Sequence, residues 1–535
     1  MRQSIRPGEP VTSASAPLAA IYPACCRLLP GLGSELIPGQ DLATFLEKHP
    51  DLVVAHPYLP DLARVEAARH RAAGLPSISP AQFPRMTVNP ILELLRLRWR
   101  GLPRLLADPA DRPEPGEEYV LIWKPPGQEA VRIATASGHD LLALKIVEEE
   151  INPRSAAAEA GVGPGVIDDI LRQACLQGLL LAPASRIVRD PDFPRGTVAN
   201  PALLTARTFT LQWHITQTCD LHCRHCYDRS ERREFDLERG ILVLDELYDF
   251  ARSRNVFTQV TFTGGNPLLH PHFLELYRGA AERGFLTAIL GNPMPRHRIE
   301  EIVAVQPPEF YQVSLEGLRE HNDYIRGHGH FDRVLAFLDL LRELKVYSMV
   351  MLTLTRANQD QVLPLAEELR HRVDLFTFNR LAMVGEGASL ASAPPEQYQA
   401  FLEEYLAARE HNSCMGIKDN LINILRLRDR QPLFGGCAGY GCGAAFNFVA
   451  LLPDGEVHAC RKFPSLIGNL FADSLEEIYE GEAARRYRRG SSACRDCSIR
   501  PVCGGCLAVT HGFGRDIFHE LDPYCFMERL ALPSS

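Results

Sequence analysis

The chain lacks several things that would direct it to a membrane, out of the cell or onto nucleic acid. No apolar run in its 535 residues approaches the roughly 20 residues a bilayer-spanning helix needs. The opening MRQSIRPGEPVTSASAPLAAIYPACC has no apolar core followed by a small-residue cleavage site, so no secretion signal is read there. Basic residues are not in excess. The 57 Lys and Arg stand against 66 Asp and Glu, a formal charge of -9, which gives no broad footprint for nucleic acid. An even cysteine count is missing as well. Fifteen cysteines suit a disulfide framework poorly. In a chain expected to be cytoplasmic, they point to metal ligation or catalysis. The 46% hydrophobic fraction is ordinary for a protein with sizeable cores, and the length predicts several domains.

Residues 1–115 read as a helical region, with helical spacing of apolar residues in DLATFLEKHP and LPDLARVEAARHRA. The adjacent Cys25 and Cys26 suit core positions better than one metal, because neighbouring side chains diverge. LADPADRPEPGEE, ending at Glu118, reads as a linker. Residues 116–195 form a small unit of two strands, YVLIWK and AVRIAT, around a Pro-Pro-Gly turn, followed by three helices and a short return strand in RIVRD. That shape is winged-helix-like. Asp168, Asp169 and Glu148 to Glu150 would repel phosphates, so DNA binding is disfavoured against a scaffold or a peptide-binding role.

Residues 205–395 alternate strands and helices. FTLQWHIT, TQVTFTG, LTAILG, FYQVSLEG, YSMVMLTL and LFTFNRL are the strands, with helices such as LERGILVLDELYDFARSR between them. This predicts an α/β fold with a parallel sheet, a partial (β/α)6 TIM-like barrel, with its site at the C-terminal strand ends. Cys219, Cys223 and Cys226, in CDLHCRHCY, follow the first strand. Three thiolates can hold an iron–sulfur cluster and leave one iron open. Zinc bound with His222 or His225 is the competing reading. TFTGGNPLLH brings Gly264 and Gly265 to the second strand end, where glycines allow a close backbone approach. VSLEG brings Ser314 and Glu316 to the fourth, on one face by strand alternation, followed by Arg326. Asn379 on the sixth strand is a candidate polar wall.

A helical linker, 396–430, leads to a cysteine-rich end, 431–535. Cys437, Cys442, Cys460, Cys494, Cys497, Cys503, Cys506 and Cys525 fill two four-cysteine sites with none left over. Two strands joined at Pro453, Asp454 and Gly455 would bring Cys442 and Cys460 together, and Ser474 with Glu477 has the spacing of a helix cap. Zinc and iron–sulfur are equally good readings of this segment alone. Cys414 falls outside the set and reads as core. His214, Asp454 and Glu456 are polar groups without an assigned role.

The three-cysteine run resembles the signature of the radical S-adenosylmethionine (SAM) superfamily. That resemblance implies a [4Fe–4S] cluster on Cys219, Cys223 and Cys226, with SAM on the fourth iron and reductive cleavage to a 5′-deoxyadenosyl radical. It implies SAM contacts at Gly264, Gly265 and Asn266, the last replacing the family's usual glutamate, and near Ser314, Glu316 and Arg326. His225 stands where the family commonly has an aromatic residue. The C-terminal pattern resembles the SPASM extension. It implies one auxiliary [4Fe–4S] cluster on Cys437, Cys442, Cys460 and Cys506 and another on Cys494, Cys497, Cys503 and Cys525. Residues 116–195 resemble the leader-recognition domain of enzymes that modify ribosomally made peptides. The whole implies a peptide maturase forming thioethers, heterocycles or related crosslinks. Its layout is similar to the selenobiotic or thio(seleno)oxazole group. Its implied partners are a leader-bearing precursor peptide and an electron donor such as flavodoxin or ferredoxin. Rivals are a sulfatase-type protein maturase, a peptide epimerase or carbon–carbon crosslinker, and a zinc-stabilised adaptor.

Overall fold

The alternation Leu95-Arg96-Leu97-Arg98-Trp99-Arg100 puts apolar and basic side chains on opposite faces of an extended chain. The computed structural model describes residues 18–30, 41–78 and 83–529 and folds this run as a strand. Most of the opening stretch read for a secretion signal lies outside the described residues. The chain divides into two units, 1–184 and 185–535.

In the first unit the strands are β1 (Thr87–Val88), β2 (Glu93–Arg100), β3 (Glu114–Trp123), β4 (Arg132–Thr135) and β5 (Leu180–Leu181). β2, β3 and β4 form an antiparallel sheet in that order, and β1 pairs with β5. Two sequence expectations are corrected here. Residues 1–115 are not all helical, because β1 and β2 lie among them. The proposed linker before Glu118 also loses its last residues to β3, since Arg100 and Trp99 pair with Glu114 and Pro115.

The central strand explains the arrangement. Val120 and Ile122 face a core built with Leu59, Leu62 and Val65 of the helix Leu59–Gly74. Leu121 and Trp123 face a second core with Ala143, Ile146, Ile167 and Leu171, on the helices Gly138–Glu148 and Pro164–Gln177. The front helices and the later ones therefore share one sheet. Cys25 is buried in the first core. The buried Glu66 carboxylate accepts the backbone N–H of Ala24 at 2.6 Å and of Cys25 at 3.0 Å, capping the short helix Pro23–Leu28.

The second unit carries β6 (Thr208–Thr216), β7 (Phe257–Gly264), β8 (Leu286–Leu290), β9 (Phe310–Ser314), β10 (Ser348–Leu354) and β11 (Leu375–Arg380), parallel neighbours in that order. Helices between them include Leu237–Arg254 and His330–Glu343. Three more strands, β12 (Phe448–Leu451), β13 (Glu456–His458) and β14 (Leu466–Asn469), extend this sheet from the β6 edge. β12 runs parallel to β6 and antiparallel to β13, making a nine-stranded mixed sheet. Gly455, at φ 86°, turns the hairpin the sequence predicts.

Strand parity sorts this sheet into two faces. Phe209, Leu211, Trp213, Val260, Phe262 and Val313 enter the core with the helices. Trp213 stacks on Phe235 at 5.3 Å and on Phe262 at 5.9 Å. The alternate positions His214, Thr263, Gln312, Ser314, Thr353 and Asn379 line a cavity on the opposite face. The segment expected as a linker, 396–430, holds the helices Tyr398–Arg409 and Ile422–Arg428. Tyr398, Phe401, Leu402 and Tyr405 belong to the main core, so it is a packed layer and not a spacer. RIVRD forms no strand in the first unit. Val188 makes an isolated bridge to Thr205 in the second, and the buried Arg189 side chain anchors the segment there. Among the described residues no helix is long and apolar enough to cross a membrane.

Lys124 follows β3 with a side chain only 2% exposed, and its ammonium donates to the carbonyls of Ala73 at 3.3 Å and Leu75 at 2.6 Å and to the Glu129 carboxylate at 3.3 Å. Lys124→Met keeps the volume and leaves those carbonyls unpaired. It should destabilise the first unit by about 1–3 kcal/mol. Urea unfolding of the full chain, followed by tryptophan fluorescence, to which Trp99 and Trp123 of this unit and Trp213 of the second contribute, checks this as an earlier transition.

Candidate active site and iron–sulfur region

The loop after β6 is anchored at both ends. Thr218 donates its N–H to Thr216 Oγ1 at 3.0 Å, and Gln217 Nε2 donates to Asp228 Oδ2 at 3.1 Å. Midway, Arg224 donates its N–H to Ile325 O and its Nε to Tyr324 O, both at 3.0 Å, and its guanidinium lies 4.3 Å from the Tyr324 ring centroid. So held, Cys219, Cys223 and Cys226 line one cavity of about 480 Å³, within the usual range for small-molecule sites. Burial pushes all three thiols up, while Arg326 pulls Cys223 the other way.

Gly264 and Gly265 form the adjoining wall. A Cβ on Gly264 would sit 2.2 Å from Thr216 O, and one on Gly265 would sit 2.2 Å from Thr218 O. Their glycine character therefore serves first to let the end of β7 pack on the start of the cysteine loop. Gly265 N–H donates to Thr216 O, and Asn266 N–H to Thr218 O, each at 2.8 Å. Asn266 itself is fully buried. Its Nδ2 donates to Asp220 Oδ1 at 3.0 Å, and Asn292 Nδ2 reaches the same oxygen at 2.7 Å. The amide nitrogen thus braces the residue after Cys219, while the buried Oδ1 has no hydrogen-bond partner.

Glu316 is held by several protein groups. It is 1% exposed, with Oε1 accepting from Arg326 Nε at 2.9 Å and Nη2 at 2.6 Å, and Oε2 from the Thr353 N–H at 2.8 Å. His225 Nε2 lies 2.8 Å from the same carboxylate. Despite its burial, His225 and Arg326 hold the Glu316 carboxyl well below the ordinary carboxylate range. Its capacity is spent on protein groups. Arg326 reaches the cavity and brings Nη1 to 3.7 Å from Cys223 Sγ, while Ser314 lines the cavity directly. Neither histidine of the loop joins the thiols. His225 turns to Glu316, and His222 Nδ1 meets Arg229 Nη1 at 2.7 Å. The zinc reading of this loop loses its fourth ligand.

Sequence reasoning missed one group. Tyr227 OH lies 2.8 Å from His214 Nε2 and accepts from Arg461 Nη1 at 3.1 Å, and all three side chains line the cavity. Burial lowers His214 to about 3, helped by Arg461, so its ring is neutral near pH 7. The signal was present: Tyr227 follows Cys226, and Arg461 follows Cys460. Asp454 and Glu456 instead grip Arg232 Nη1 at 2.6 and 2.9 Å. Cys414 is buried, with Sγ 3.9 Å from Ala366 O and its thiol raised to about 11 by burial. It packs in the core and is absent from the cavity lining.

The eight C-terminal cysteines gather as two groups. Cys437, Cys442, Cys460 and Cys506 line a second cavity of about 70 Å³, together with Lys418 and Lys462. Cys494, Cys497, Cys503 and Cys525 are mutual electrostatic neighbours. Ser474 accepts from the Glu477 N–H, and Glu477 closes the reciprocal cap before the last cysteines. Lys462, Asn379 and Arg380 line both cavities. Burial lowers the Lys418 ammonium to about 8, with Cys437 acting against it.

Among the described residues, no three cysteine, histidine or acidic side chains converge as donors to a single ion. Thiolates that bind different irons of one cluster need not converge on a single point, and the cysteines of each set lie beside a common cavity or beside one another. The Radical SAM superfamily pattern matches residues 213–369, and an iron–sulfur cluster-binding domain, SPASM, matches residues 442–498. The mycofactocin maturase MftC of Mycolicibacterium smegmatis is 28% identical over 363 residues, covering 64% of this chain and 86% of that protein. The AdoMet-dependent heme synthase of Methanosarcina barkeri is 24% identical over 343 residues, covering 59% and 95%. The fold is similar to that of Streptococcus suis SuiB bound to the precursor peptide SuiA. The TM-score is 0.50 at 15% identity, covering 76% of this chain and 96% of that one.

Gly265→Ala should force the β7 end away from the cysteine loop, given the 2.2 Å approach to Thr218 O. After anaerobic reconstitution the variant should hold about four irons fewer than the parent, one [4Fe–4S] complement. Iron and sulfide analysis checks this, and an unchanged count contradicts it.

Proposed function

The chain being a radical SAM enzyme with an iron–sulfur SPASM region, we propose that it matures a ribosomally synthesised precursor peptide. The observation that carries the reading is the shared cavity. The three thiols after β6 and the side chains following Cys460 face the same space. When bound, a four-iron cluster with one open iron supplies an electron to the sulfonium of SAM and so a radical able to take hydrogen from a carbon.

The chain's own residues would do the holding and shielding. Cys219, Cys223 and Cys226 would ligate the first cluster. Gly264, Gly265 and Ser314 would offer backbone and hydroxyl groups to SAM, with Arg326 beside Cys223 as a fixed positive charge. Asn266 and Glu316 would act through Asp220 and Arg326 as positioning residues. The two C-terminal groups would each hold an auxiliary [4Fe–4S] cluster, closed to substrate and suited to electron transfer. The six parallel strands of residues 205–395 are read as a partial (β/α)6 barrel, with the peptide entering opposite its helices.

The leader would bind to residues 116–195. Support comes from the antiparallel strands β3 and β4 with three helices behind them, joined by β2 from outside the segment, and from β4, which among the described residues pairs with β3 alone. An extended peptide can add to such an edge through backbone hydrogen bonds. MftC is named a maturase, and SuiB was solved with its precursor peptide, both in keeping with this reading. A flavodoxin or ferredoxin would supply electrons in the cytoplasm. Thioether, heterocycle and thio(seleno)oxazole-type products fit a cysteine-bearing core peptide, while epimerisation or carbon–carbon crosslinking changes the mass differently. The packed position of Cys414 removes it as a hydrogen donor to a product radical.

Anaerobically reconstituted protein should carry about twelve irons, from three [4Fe–4S] clusters, and release 5′-deoxyadenosine from SAM with a reductant. Replacing Cys219, Cys223 and Cys226 together by Ala should leave about eight irons and abolish that release. Adding the precursor peptide should give a product whose mass change names the bond formed. Iron-loaded protein that never cleaves SAM, or a colourless zinc protein, overturns the proposal.

A further inference from the structure

Arg461 brings a guanidinium into the larger cavity and finds no counterion there. Among the described residues no carboxylate stands at ion-pair distance from it. Nη1 alone is engaged, donating to Tyr227 OH at 3.1 Å and to Thr263 Oγ1 at 3.3 Å. Both acceptors are neutral hydroxyls. Nε and Nη2 donate to no protein group, and neither is sealed away from the cavity. Those two nitrogens share one edge of the guanidinium, the fork that matches a carboxylate.

The other charges of the cavity are accounted for. Arg326 is paired with Glu316, and Arg380 with Asp419 and Asp522. Arg229 meets His222 and has Glu386 at 4.0 Å. Lys462 also lines the second cavity, where it acts on Cys460 and Cys506, whereas Arg461 does not line that cavity. Asp228, the one acid lining the larger cavity, is held by Ser230, Gln217 and Arg232. The arginines that act most strongly on the thiols of the cysteine loop are Arg326 and Arg229, so these two are placed for a cluster and its ligand. Arg461 is left for a different anion. Leu381, Ala382, Met383 and Val384 give the same cavity an apolar wall. The Glu386 N–H donates to Cys226 O at 2.9 Å and ties this segment to the cysteine loop. Beside such a wall a guanidinium–carboxylate pair is stronger than in open water.

We propose that Arg461 anchors the substrate by taking a carboxylate of the core peptide, from an acidic side chain or from the C-terminus, through Nε and Nη2. The inference rests on the functional reading and narrows its substrate to peptides that bring a carboxylate into the cavity together with the reacting carbon.

The test is phenylglyoxal labelling of full-length, cluster-loaded protein, without and then with SAM, read at each arginine by mass spectrometry. Three probes are compared: acetyl-Ala-Glu-Ala-amide, acetyl-Ala-Ala-Ala with a free C-terminus, and acetyl-Ala-Gln-Ala-amide. Arg461 should label in the presence of SAM, and an acidic probe should slow that labelling severalfold while the glutamine probe leaves it unchanged. Protection by the first probe assigns a side-chain carboxylate, and protection by the second a C-terminal one. In saturation-transfer NMR the protecting probe should bind Arg461→Met at least about tenfold more weakly than the parent, the worth of one charge-assisted hydrogen bond. Arg461→Lys should recover part of that loss. Protection by SAM alone, equal protection by the glutamine probe, or none by either acidic probe overturns the inference, and release of 5′-deoxyadenosine by the same protein then leaves the functional reading standing. Iron-loaded protein that never cleaves SAM overturns both.

Discussion

Everything at the candidate active site depends on two backbone hydrogen bonds across a gap that only glycine permits. Gly265 and Asn266 donate to Thr216 and Thr218, and a methyl group on either Gly264 or Gly265 would collide with the carbonyls that receive them. Through this clamp the end of β7 fixes the start of the cysteine loop, and so the direction in which Cys219 leaves the sheet. The rest of the loop is tied further along by Arg224 and by the Glu316–Arg326 pair beside Cys223. A flexible loop of this length would lose conformational entropy each time it gathered three thiols around a cluster. Here much of that ordering is already done by the fold.

The same logic recasts the carboxylate and amide that the sequence suggested as ligands to SAM. Asn266 and Glu316 are buried; Asn266 Nδ2 is directed to Asp220 and the Glu316 carboxylate to Arg326, His225 and Thr353, while Asn266 Oδ1 has no hydrogen-bond partner. Buried polar groups are tolerated when hydrogen-bonded. Those partners in turn present backbone and guanidinium groups to the cavity. Proximity in sequence to a glycine pair or a strand end pointed to this neighbourhood, but not to the protein partners that hold these side chains.

Much of the second unit was legible because its strands and helices have clean periods. The six parallel strands and the helix Leu237–Arg254 follow directly from runs of alternating or helically spaced apolar residues. The first set of cysteines is contiguous in sequence, while the division of the other eight came from the SPASM resemblance; Cys437, Cys442, Cys460 and Cys506 line one cavity and Cys494, Cys497, Cys503 and Cys525 are neighbours. What stayed hidden required tertiary knowledge. β2 has a textually plain alternation, Leu95, Leu97 and Trp99 against arginines, yet it sits in an Ala- and Arg-rich region whose composition reads as helix. The residues before Glu118 carry proline and acid, but pairing with β2 overrides that local preference. The His214–Tyr227–Arg461 contact joins residues 13 and 234 positions apart, so the places of Tyr227 and Arg461 beside cysteines were visible but their meeting was not.

That last contact also bears on how the two cysteine-rich regions act together. β12 is a continuation of the catalytic sheet, parallel to β6 with Val449 opposite Leu211. The hairpin β12–β13 therefore places Cys460 on a rigid extension of the strand that ends before Cys219. From there Arg461 donates to Tyr227, whose neighbour in sequence is Cys226. One hydrogen bond thus connects residues covalently adjacent to ligands of two different proposed clusters, across the wall of the cavity between them. A C-terminal region hinged separately could not hold that bond. Its presence argues that the distance between the two cysteine regions is a property of the sheet itself.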